Sequence, residues 1–529
     1  MITEDQTDVI EFLGARSTHA AASVERIDTH SAVVFLAGER AYKLKRAVRF
    51  DYLDFSTVER RRAMCEAEVR LNRRTAPGIY RGVVPITRES GGALALAGSG
   101  PPIDWVVKMH RFSQDALFDR LAAAGRLDLE LMRPLAAAIE ELHRIAERRT
   151  DHGGKPGMEW VIEGNAAGFA EYGQDVLDPL ACRRLTEASR AELDTRGALL
   201  DARRASGLVR HCHGDMHLRN IVLFDGRPML FDGVEFNDEI ACIDVLYDLA
   251  FLLMDLCRRG LPRHANAVWN SYLEDTGDLS GLSLVPLFLS CRAAVRAKTS
   301  ATAARLQPDV RRHGQLQALA REYLAMAERL LHPPRPSVIA IGGLSGTGKS
   351  TLAFGLAPSV GAVPGAVVIR SDVIRKQLSG VSPLDRLGPE GYSSEMSERV
   401  YATVADRAGL TIRSGHSAIV DAVYARRGDR QAIERVAADE AVPFVGIWLE
   451  AAEAMLIARV EKRRHDVSDA DAGVIRVQQA QHTGAMSWHR MDASMSSEDV
   501  LEHATRHVQA QIGPTINCRS VHSVAFANS

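Results

Sequence analysis

Apolar and polar positions along this chain alternate between strand-like and helical stretches, in an order that suggests two different folds. Residues 30 to 50 read as a hairpin. Ala32-Val33-Val34-Phe35-Leu36 is strand-like, Ala37-Gly38-Glu39-Arg40 is turn-like, and Ala41 to Lys45 alternates as a second strand. Residues 56 to 74 carry Arg and Glu at helical spacing. Val83-Val84-Pro85-Ile86 and Trp105-Val106-Val107-Lys108-Met109 read as further strands, and a helical pattern dominates from about 115 to 205. Ile221 to Phe224, a turn at Asp225-Gly226, and Pro228 to Phe231 form another short strand pair. Helices follow from about 243 to 331. Strands first and helices later predict a small sheet lobe on a helical lobe.

His332-Pro333-Pro334-Arg335-Pro336-Ser337 then breaks the pattern, because its prolines cannot continue a helix. After it come four apolar runs: Val338 to Ile341, Ala366 to Ile369, Ser417 to Val420, and Val442 to Leu449. Helical patterns separate them, which predicts a parallel sheet covered on both faces. The expected domains are therefore residues 1–331, a linker at 332–337, and residues 338–512. A tail from 513 to 529, with little periodicity, is expected to be disordered.

Composition narrows the function classes. The chain is 46% hydrophobic and 25% charged, as ordinary globular proteins are, and its 529 residues are ample for two cores. A net charge of -2 gives no whole-chain pull toward nucleic acid or a membrane surface. The seven cysteines (65, 182, 212, 242, 257, 291 and 518) are scattered without C-x-x-C spacing, which argues against a disulfide framework and a zinc site. Cys212 reads as buried filler. No signal-peptide pattern is visible, and the apolar run Leu249 to Leu256 is framed by Asp248 and Asp255. A cytoplasmic protein is the expectation.

The first chemical motif is His213-Gly214-Asp215 with Asn220 five residues after Asp215, followed by Phe231-Asp232-Gly233. In a kinase catalytic loop the Asp of this spacing accepts the acceptor's hydroxyl proton, and the Asn turns back to hold a metal. Asp215 is thus the candidate base. Asn220 and Asp232 are candidate Mg²⁺ ligands. Phosphates also need a strand Lys oriented by a helix Glu. Lys43, in the A-x-K spacing of Ala41-Tyr42-Lys43, is favoured over Lys45 on the same strand face, and Glu68 over Glu66. His213 is expected to brace the loop by hydrogen bonds.

The second motif is Gly343-Leu344-Ser345-Gly346-Thr347-Gly348-Lys349-Ser350, between a strand and a helix opening at Thr351. Its glycines let backbone N–H groups cradle phosphate, with Lys349 on the outer phosphates and the Ser350 hydroxyl on Mg²⁺. Gly343, Ser345, Gly346, Thr347, Gly348, Lys349, Ser350 and Thr351 are the candidate nucleotide-binding residues. Asp372 follows the next strand, where ligands of doubly wound sheets sit. It is a candidate base, and Arg375 a candidate clamp for an anionic acceptor or the transferring phosphate. Asp421, ending a strand, either orients Mg²⁺ through water, binds acceptor or caps the next segment. Arg459 and Arg463, four apart on one helix face, with Arg464 beside them, are candidates for a lid over ATP.

Residues 1 to about 331 resemble the aminoglycoside phosphotransferase family, which includes choline, fructosamine and homoserine kinases. The His-Gly-Asp loop, Asp244-x-x-x-Asp248-Leu249-Ala250 and Leu142-His143 carry the likeness. The chain departs from a kinase pattern in lacking G-x-G-x-x-G between its first strands, so Thr29-His30-Ser31 is expected to cover the nucleotide. Residues 338 to about 510 are similar to the gluconate-kinase, zeta-toxin and polynucleotide-kinase group of P-loop kinases, through the P-loop, Ser371-Asp372-x-x-Arg375, Asp421-Ala422 and Arg459/Arg463. The resemblance implies an α+β bilobal protein-kinase-like domain followed by an α/β P-loop domain with a parallel sheet. It also implies two Mg·ATP sites and small-molecule hydroxyl acceptors such as sugars or their derivatives. Neutral charge makes a polynucleotide the least attractive acceptor. Two activities are the first expectation. The alternative is one active kinase with the other domain as a nucleotide-binding regulatory module.

Overall fold

The computed structural model describes residues 2–50, 52–382, 385–462, 468–469, 471–479 and 483–513. Arg463, Arg464, Cys518 and the expected disordered tail from 514 onward lie outside the described residues. The chain forms two compact units. One joins residues 1–163 to 193–252, and the other joins 164–192 to the residues from 253 onward. The Pro-rich segment 332–337 therefore lies inside the second unit.

The first unit holds a six-stranded sheet of β1 (Val24–Asp28), β2 (Ala32–Ala37), β3 (Arg40–Lys45), β6 (Tyr80–Arg88), β7 (Leu94–Leu96) and β8 (Pro102–His110), in the order β1-β2-β3-β8-β6-β7. β4 (Arg49–Phe50) and β5 (Leu53–Asp54) make a small separate hairpin. The expected strands are present, at 80–88 and 102–110 longer than their apolar centres. β1 was not expected: Val-Glu-Arg-Ile-Asp is mostly exposed, so no buried face marked it. Neighbouring strands of this sheet all pair antiparallel, and Lys43 sits opposite Val34 on β2 and Val107 on β8.

The helix Val58–Asn72 starts where the Thr57 side chain accepts the Arg60 N–H, with Glu59 in its first turn. Arg61, Cys65, Glu68 and Asn72 recur every three to four residues and are buried. A stripe of polar groups can be buried only if each is paired. Arg61 is, by Asp104 at 2.8 Å, Glu4 at 2.8 Å and the Phe55 carbonyl at 3.2 Å.

The motif loop runs from β9 (Val209–His211) to the hairpin of β10 (Ile221–Phe224) and β11 (Arg227–Leu230). Asp225 and Gly226 both have positive φ, at 50° and 74°, as a tight two-residue hairpin turn requires. β9 pairs with β12 (Cys242–Asp244), which runs straight into the helix Val245–Arg258. That helix buries the apolar run 249–256 together with Asp248 and Asp255. No helix among the described residues is long and apolar enough to cross a membrane.

In the second unit a five-stranded sheet is built from β13 (Val338–Gly343), β14 (Val367–Arg370), β15 (Ala418–Asp421), β16 (Phe444–Glu450) and β17 (His489–Asp492). Their order is β14-β15-β13-β16-β17, with every pair parallel. Four of the five are the apolar runs of the sequence. They read as continuous because the sheet is buried on both faces, with Ile339, Ile341, Ile419, Val445 and Ile447 in one core. β13 is central, so the loop that leaves it at Gly343 lies between neighbours on both sides.

Candidate active sites

In the first unit, Glu68 is the centre of the charge arrangement. Its fully buried carboxylate accepts from Lys43 Nζ at 2.9 Å and from Lys45 Nζ at 2.6 Å. Lys43 also bonds Asp232, and Lys45 bonds Glu235. Both strand lysines thus meet the same Glu, because residues two apart on a strand share a face. Lys43 alone of the two reaches Asp232. Glu66 lies on the exposed side of the helix, paired with Arg62 at 2.9 Å. Burial alone would lower the Lys43 pKa, but Asp232 and Glu68 outweigh it and leave it well above the usual value. Burial likewise favours a neutral Glu68, yet the two ammonium groups hold its pKa down to about 2.

Asp232 adopts a left-handed backbone, φ 62°, which few non-glycine residues do without a reason. Its N–H donates to the Tyr80 hydroxyl at 3.1 Å, and the next N–H, of Gly233, donates to Asn72 Oδ1 at 2.8 Å. These bonds hold the turn that aims Asp232 at Lys43. The Asp232 side chain remains 42% exposed and that of Asp215 41%, so both carboxylates are open to a ligand.

The loop carrying Asp215 is fixed from beneath. Asp248, fully buried, accepts the N–H groups of His213 at 3.0 Å and Gly214 at 2.9 Å, and His143 Nε2 lies 3.2 Å from it. The His213 ring contacts the Phe231 carbonyl at 2.9 Å, tying the loop to the Asp232 segment. Asn220 Nδ2 donates to Asp215 Oδ2 and to the Asp215 carbonyl, each at 3.0 Å. His217 Nε2 is 3.4 Å from the same carboxylate. The Thr29–Ser31 turn is held by Thr29 N–H on the Ala32 carbonyl and Arg46 N–H on that of Ser31. His30 on it faces Phe50 at 6.4 Å.

The second site opens where β13 ends. Gly343 and Gly346 have φ of 140° and 88°, and a Cβ on either would meet a backbone oxygen, of Leu449 at 2.7 Å or Leu456 at 2.8 Å. The tight loop therefore needs glycine at both positions. Gly348 leads into the helix Lys349–Leu356, whose first N–H groups suit an anion. Thr347 bonds the Leu344 carbonyl at 2.8 Å, and Lys349 Nζ reaches the same carbonyl at 3.1 Å. Ser345 is bonded at its N–H and hydroxyl by Gln478, at 2.9 and 3.1 Å.

A cavity of about 110 Å³ is lined by Ser345, Gly346, Gly348, Lys349 and Ser350 of this loop. Asp372, Arg375, Tyr392, Tyr401 and Asp421 line it from the facing elements. Ser350 Oγ donates to Asp421 Oδ2. Asp421 is buried, which raises its carboxyl above the usual range; Lys349 and Arg370 pull it back only in part. A hydroxyl and a carboxylate oxygen side by side are hard donors of the kind Mg²⁺ takes. Asp372 opens the helix Ser371–Leu378. Arg375, one turn on and buried, donates to the Gly391 carbonyl at 2.8 Å and Ser397 Oγ at 3.3 Å, with its guanidinium 5.0 Å over the Tyr392 ring.

Lys43, Glu68, Asp215, Asn220 and Asp232 come together in the first unit. Gly346, Gly348, Lys349, Ser350, Asp372 and Arg375 come together in the second. Thr351 follows Ser350 on the loop's helix. Arg459 is not among the residues lining the cavity; its guanidinium donates to the Ala493 carbonyl at 2.9 Å. Its partner in the expected lid, Arg463, lies outside the described residues. Glu235, Asn72 and Tyr80 escaped the sequence reading, as did Tyr392, Tyr401 and Gln478. Of these only Glu235, an acid two residues past Asp232-Gly233, left a readable signal. Asp421, open in the sequence between metal, acceptor and cap, accepts from Ser350 and lines the cavity.

Residues 99–282 match the family profile described as "Phosphotransferase enzyme family", and residues 338–485 the one described as "AAA domain". An uncharacterised protein of Mycobacterium tuberculosis strain H37Rv is 30% identical over 479 residues, which is 88% of this chain and 92% of that protein. A Mycobacterium bovis protein matches to the same extent. Among solved structures, a gluconokinase from Sinorhizobium meliloti is 18% identical, covering 34% of this chain and 95% of its own, with a TM-score of 0.26. A choline/ethanolamine kinase family protein from Mesorhizobium loti is 14% identical, covering 62% and 95%, with a TM-score of 0.38.

Proposed function

The chain belongs to one family with these mycobacterial proteins, an aminoglycoside-phosphotransferase-like kinase domain joined to a P-loop kinase domain, and we propose that it transfers phosphate from ATP to hydroxyl groups of small molecules at two separate sites. The observation that carries this is the completeness of both charge sets. In the first unit, Lys43 is fixed by Glu68 to meet phosphate. Asn220, which bonds Asp215, and Asp232, which bonds Lys43, would offer oxygen ligands to Mg²⁺, and Asp215 would take a hydroxyl proton. In the second, Lys349 and the loop N–H groups meet phosphate, Ser350 and Asp421 would hold Mg²⁺, and Asp372 is the base.

When bound, Mg²⁺ would supply positive charge that offsets the negative charge of the phosphate. The chain's residues do the rest. Asp248 holds the backbone of the first catalytic loop, so Asp215 and Asn220 need little reorganisation. Arg375, with two phenols beside it in the cavity, favours an acceptor that carries both an anionic group and hydroxyls, such as a sugar acid. A regulatory role for one unit would leave one of the two base–metal sets without use.

The test is transfer of labelled γ-phosphate from ATP to a panel of sugars, sugar acids, amino sugars and nucleosides. Wild type is compared with Asp215→Ala and Lys349→Ala. Loss of a different product in each variant is the expected result. If Lys349→Ala abolishes all transfer while Asp215→Ala changes nothing, the first unit binds nucleotide without turnover, and the two-activity proposal fails.

A further inference from the structure

β14 is an outer strand of the parallel sheet, and one of its edges is paired with β15. An open edge is a liability unless something covers it. Here the helix Pro262–Thr276 does so, with side chains standing in for a strand. Asn270 Oδ1 accepts the Val368 N–H at 2.7 Å, and its Nδ2 donates to the Ala366 carbonyl at 3.1 Å. Asn266 Nδ2 donates to the carbonyls of Pro364 and Ala366, both at 3.2 Å.

The two asparagines are four residues apart, and the strand residues they meet are two apart. Four helical residues rise about 6 Å and two strand residues about 6.6 Å, so helix and strand stay in step. The next place on the helix face is Glu274, and the next on the strand is Arg370. Their charged ends are 3.9 Å apart. Gln377 Nε2 also donates to the Glu274 carbonyl at 3.0 Å, which fixes the end of the helix against the segment after β14.

Arg370 is the last residue of β14 and looks both ways. Its Nε is 3.9 Å from Asp421 Oδ2, the oxygen that accepts from Ser350, and it is buried without a hydrogen-bond partner. Its guanidinium also lies 5.7 Å over Phe354 on the P-loop helix. The cation is thus poised between two carboxylates, at ion-pair distance from Glu274 Oε2 and Asp421 Oδ2 and beyond hydrogen-bond distance of both.

We propose that Glu274 is a positioning residue of the P-loop site, holding Arg370 back from Asp421 so that the Asp421 and Ser350 oxygens stay open to a divalent cation. The P-loop site is then completed by a helix that belongs to the stretch matching the phosphotransferase family. This rests on the reading of Ser350 and Asp421 as the metal-holding pair. Without Glu274 the guanidinium closes the gap to Asp421 and competes with the metal for it. Loss of a residue that orients a metal's ligand commonly costs about tenfold or more in metal affinity.

The test uses the full chain carrying Asp232→Asn, which leaves the P-loop as the measured metal site. Mn²⁺ binding in the presence of ADP is followed by electron paramagnetic resonance. Glu274→Gln should raise the Mn²⁺ dissociation constant about tenfold. Adding Arg370→Gln should restore it, since the competing cation is gone, and Arg370→Gln alone should bind Mn²⁺ as well as the parent or better. Unchanged affinity in Glu274→Gln overturns the proposal. So does a double variant as weak as the single one, or weakened binding in Arg370→Gln alone. Should the parent itself bind no Mn²⁺ with ADP, the metal-pair reading fails first, and that result is distinct from the others.

Discussion

Glu68→Gln removes one charge from the buried cluster of the first unit while keeping its shape. In the native protein the carboxylate sits between two ammonium groups at 2.9 and 2.6 Å, and its pKa falls from 4.5 to about 2. At about 1.36 kcal/mol per unit, that shift corresponds to about 3 kcal/mol of folding stability. The sign follows from a depressed folded pKa. The contribution is complete above pH 4.5 and is lost as pH falls toward 2. Lys43 keeps Asp232 and Lys45 keeps Glu235 in the variant, so neither ammonium is left wholly unpaired. The expected deficit at pH 7 is therefore about 3 kcal/mol, without the larger penalty of an isolated buried charge. The assay is hydrogen exchange across residues 58–72 in wild type and variant, at pH 7 and near pH 3. The gap should narrow sharply at the lower pH. A gap absent at pH 7, or one of equal size at both, would refute the electrostatic account. Nucleotide affinity of the first unit should fall in parallel, because Lys43 loses the group that orients it.

Three further outcomes are expected. Asn270→Leu leaves the Val368 N–H without its acceptor, while the Ala366 carbonyl keeps Asn266. The cost is about 1–3 kcal/mol for the orphaned donor, read as faster exchange of the Val368 amide. His416 is fully buried and held at a pKa of about 4 by burial, against an ordinary 6.5. Its folded pKa is depressed, so stability is full above pH 6.5 and declines by about 3 kcal/mol as pH falls to 4. His416→Gln should flatten that slope in urea unfolding, and an unaltered slope would count against it. Gly346→Ala must place a Cβ 2.8 Å from the Leu456 carbonyl at φ 88°, so nucleotide binding at the P-loop should drop at least tenfold by calorimetry while the first unit's binding is untouched.

What the sequence made legible follows from what each element buries. β13 to β16 were readable as apolar runs because both faces of that sheet are covered. β17, His-Arg-Met-Asp, buries only Met491 and offered no pattern. Motif residues came together because each is fixed by local chain geometry: a loop after a strand, or an Asn five residues from an Asp. The choice between Lys43 and Lys45 was hidden for a physical reason. Alternation places both on one face, and both bind Glu68; only the fold brings Asp232 to Lys43 and Glu235 to Lys45. Arg459 shows the converse. Helical spacing gave it a shared face with Arg463, but a face does not say what lies opposite, and here it is the Ala493 carbonyl.

The domain boundary is the most instructive case. Three prolines at 332–337 mark a break in local structure, and the second family match begins directly after them at residue 338; the compact units follow another line, dividing the chain after residues 163, 192 and 252. Local breaks report what the chain cannot continue; compactness reports what the side chains bury. Asn266 and Asn270 lie on a helix whose neighbouring buried positions are Ala265, Val268, Trp269, Tyr272 and Leu273. Two amides on an apolar face cannot be buried against hydrocarbon without a cost of several kcal/mol. They therefore need polar partners, which the edge of β14 supplies beside the bonds between the two asparagines themselves. The Asn-x-x-x-Asn-x-x-x-Glu spacing is thus the signal that this helix serves the sheet behind it.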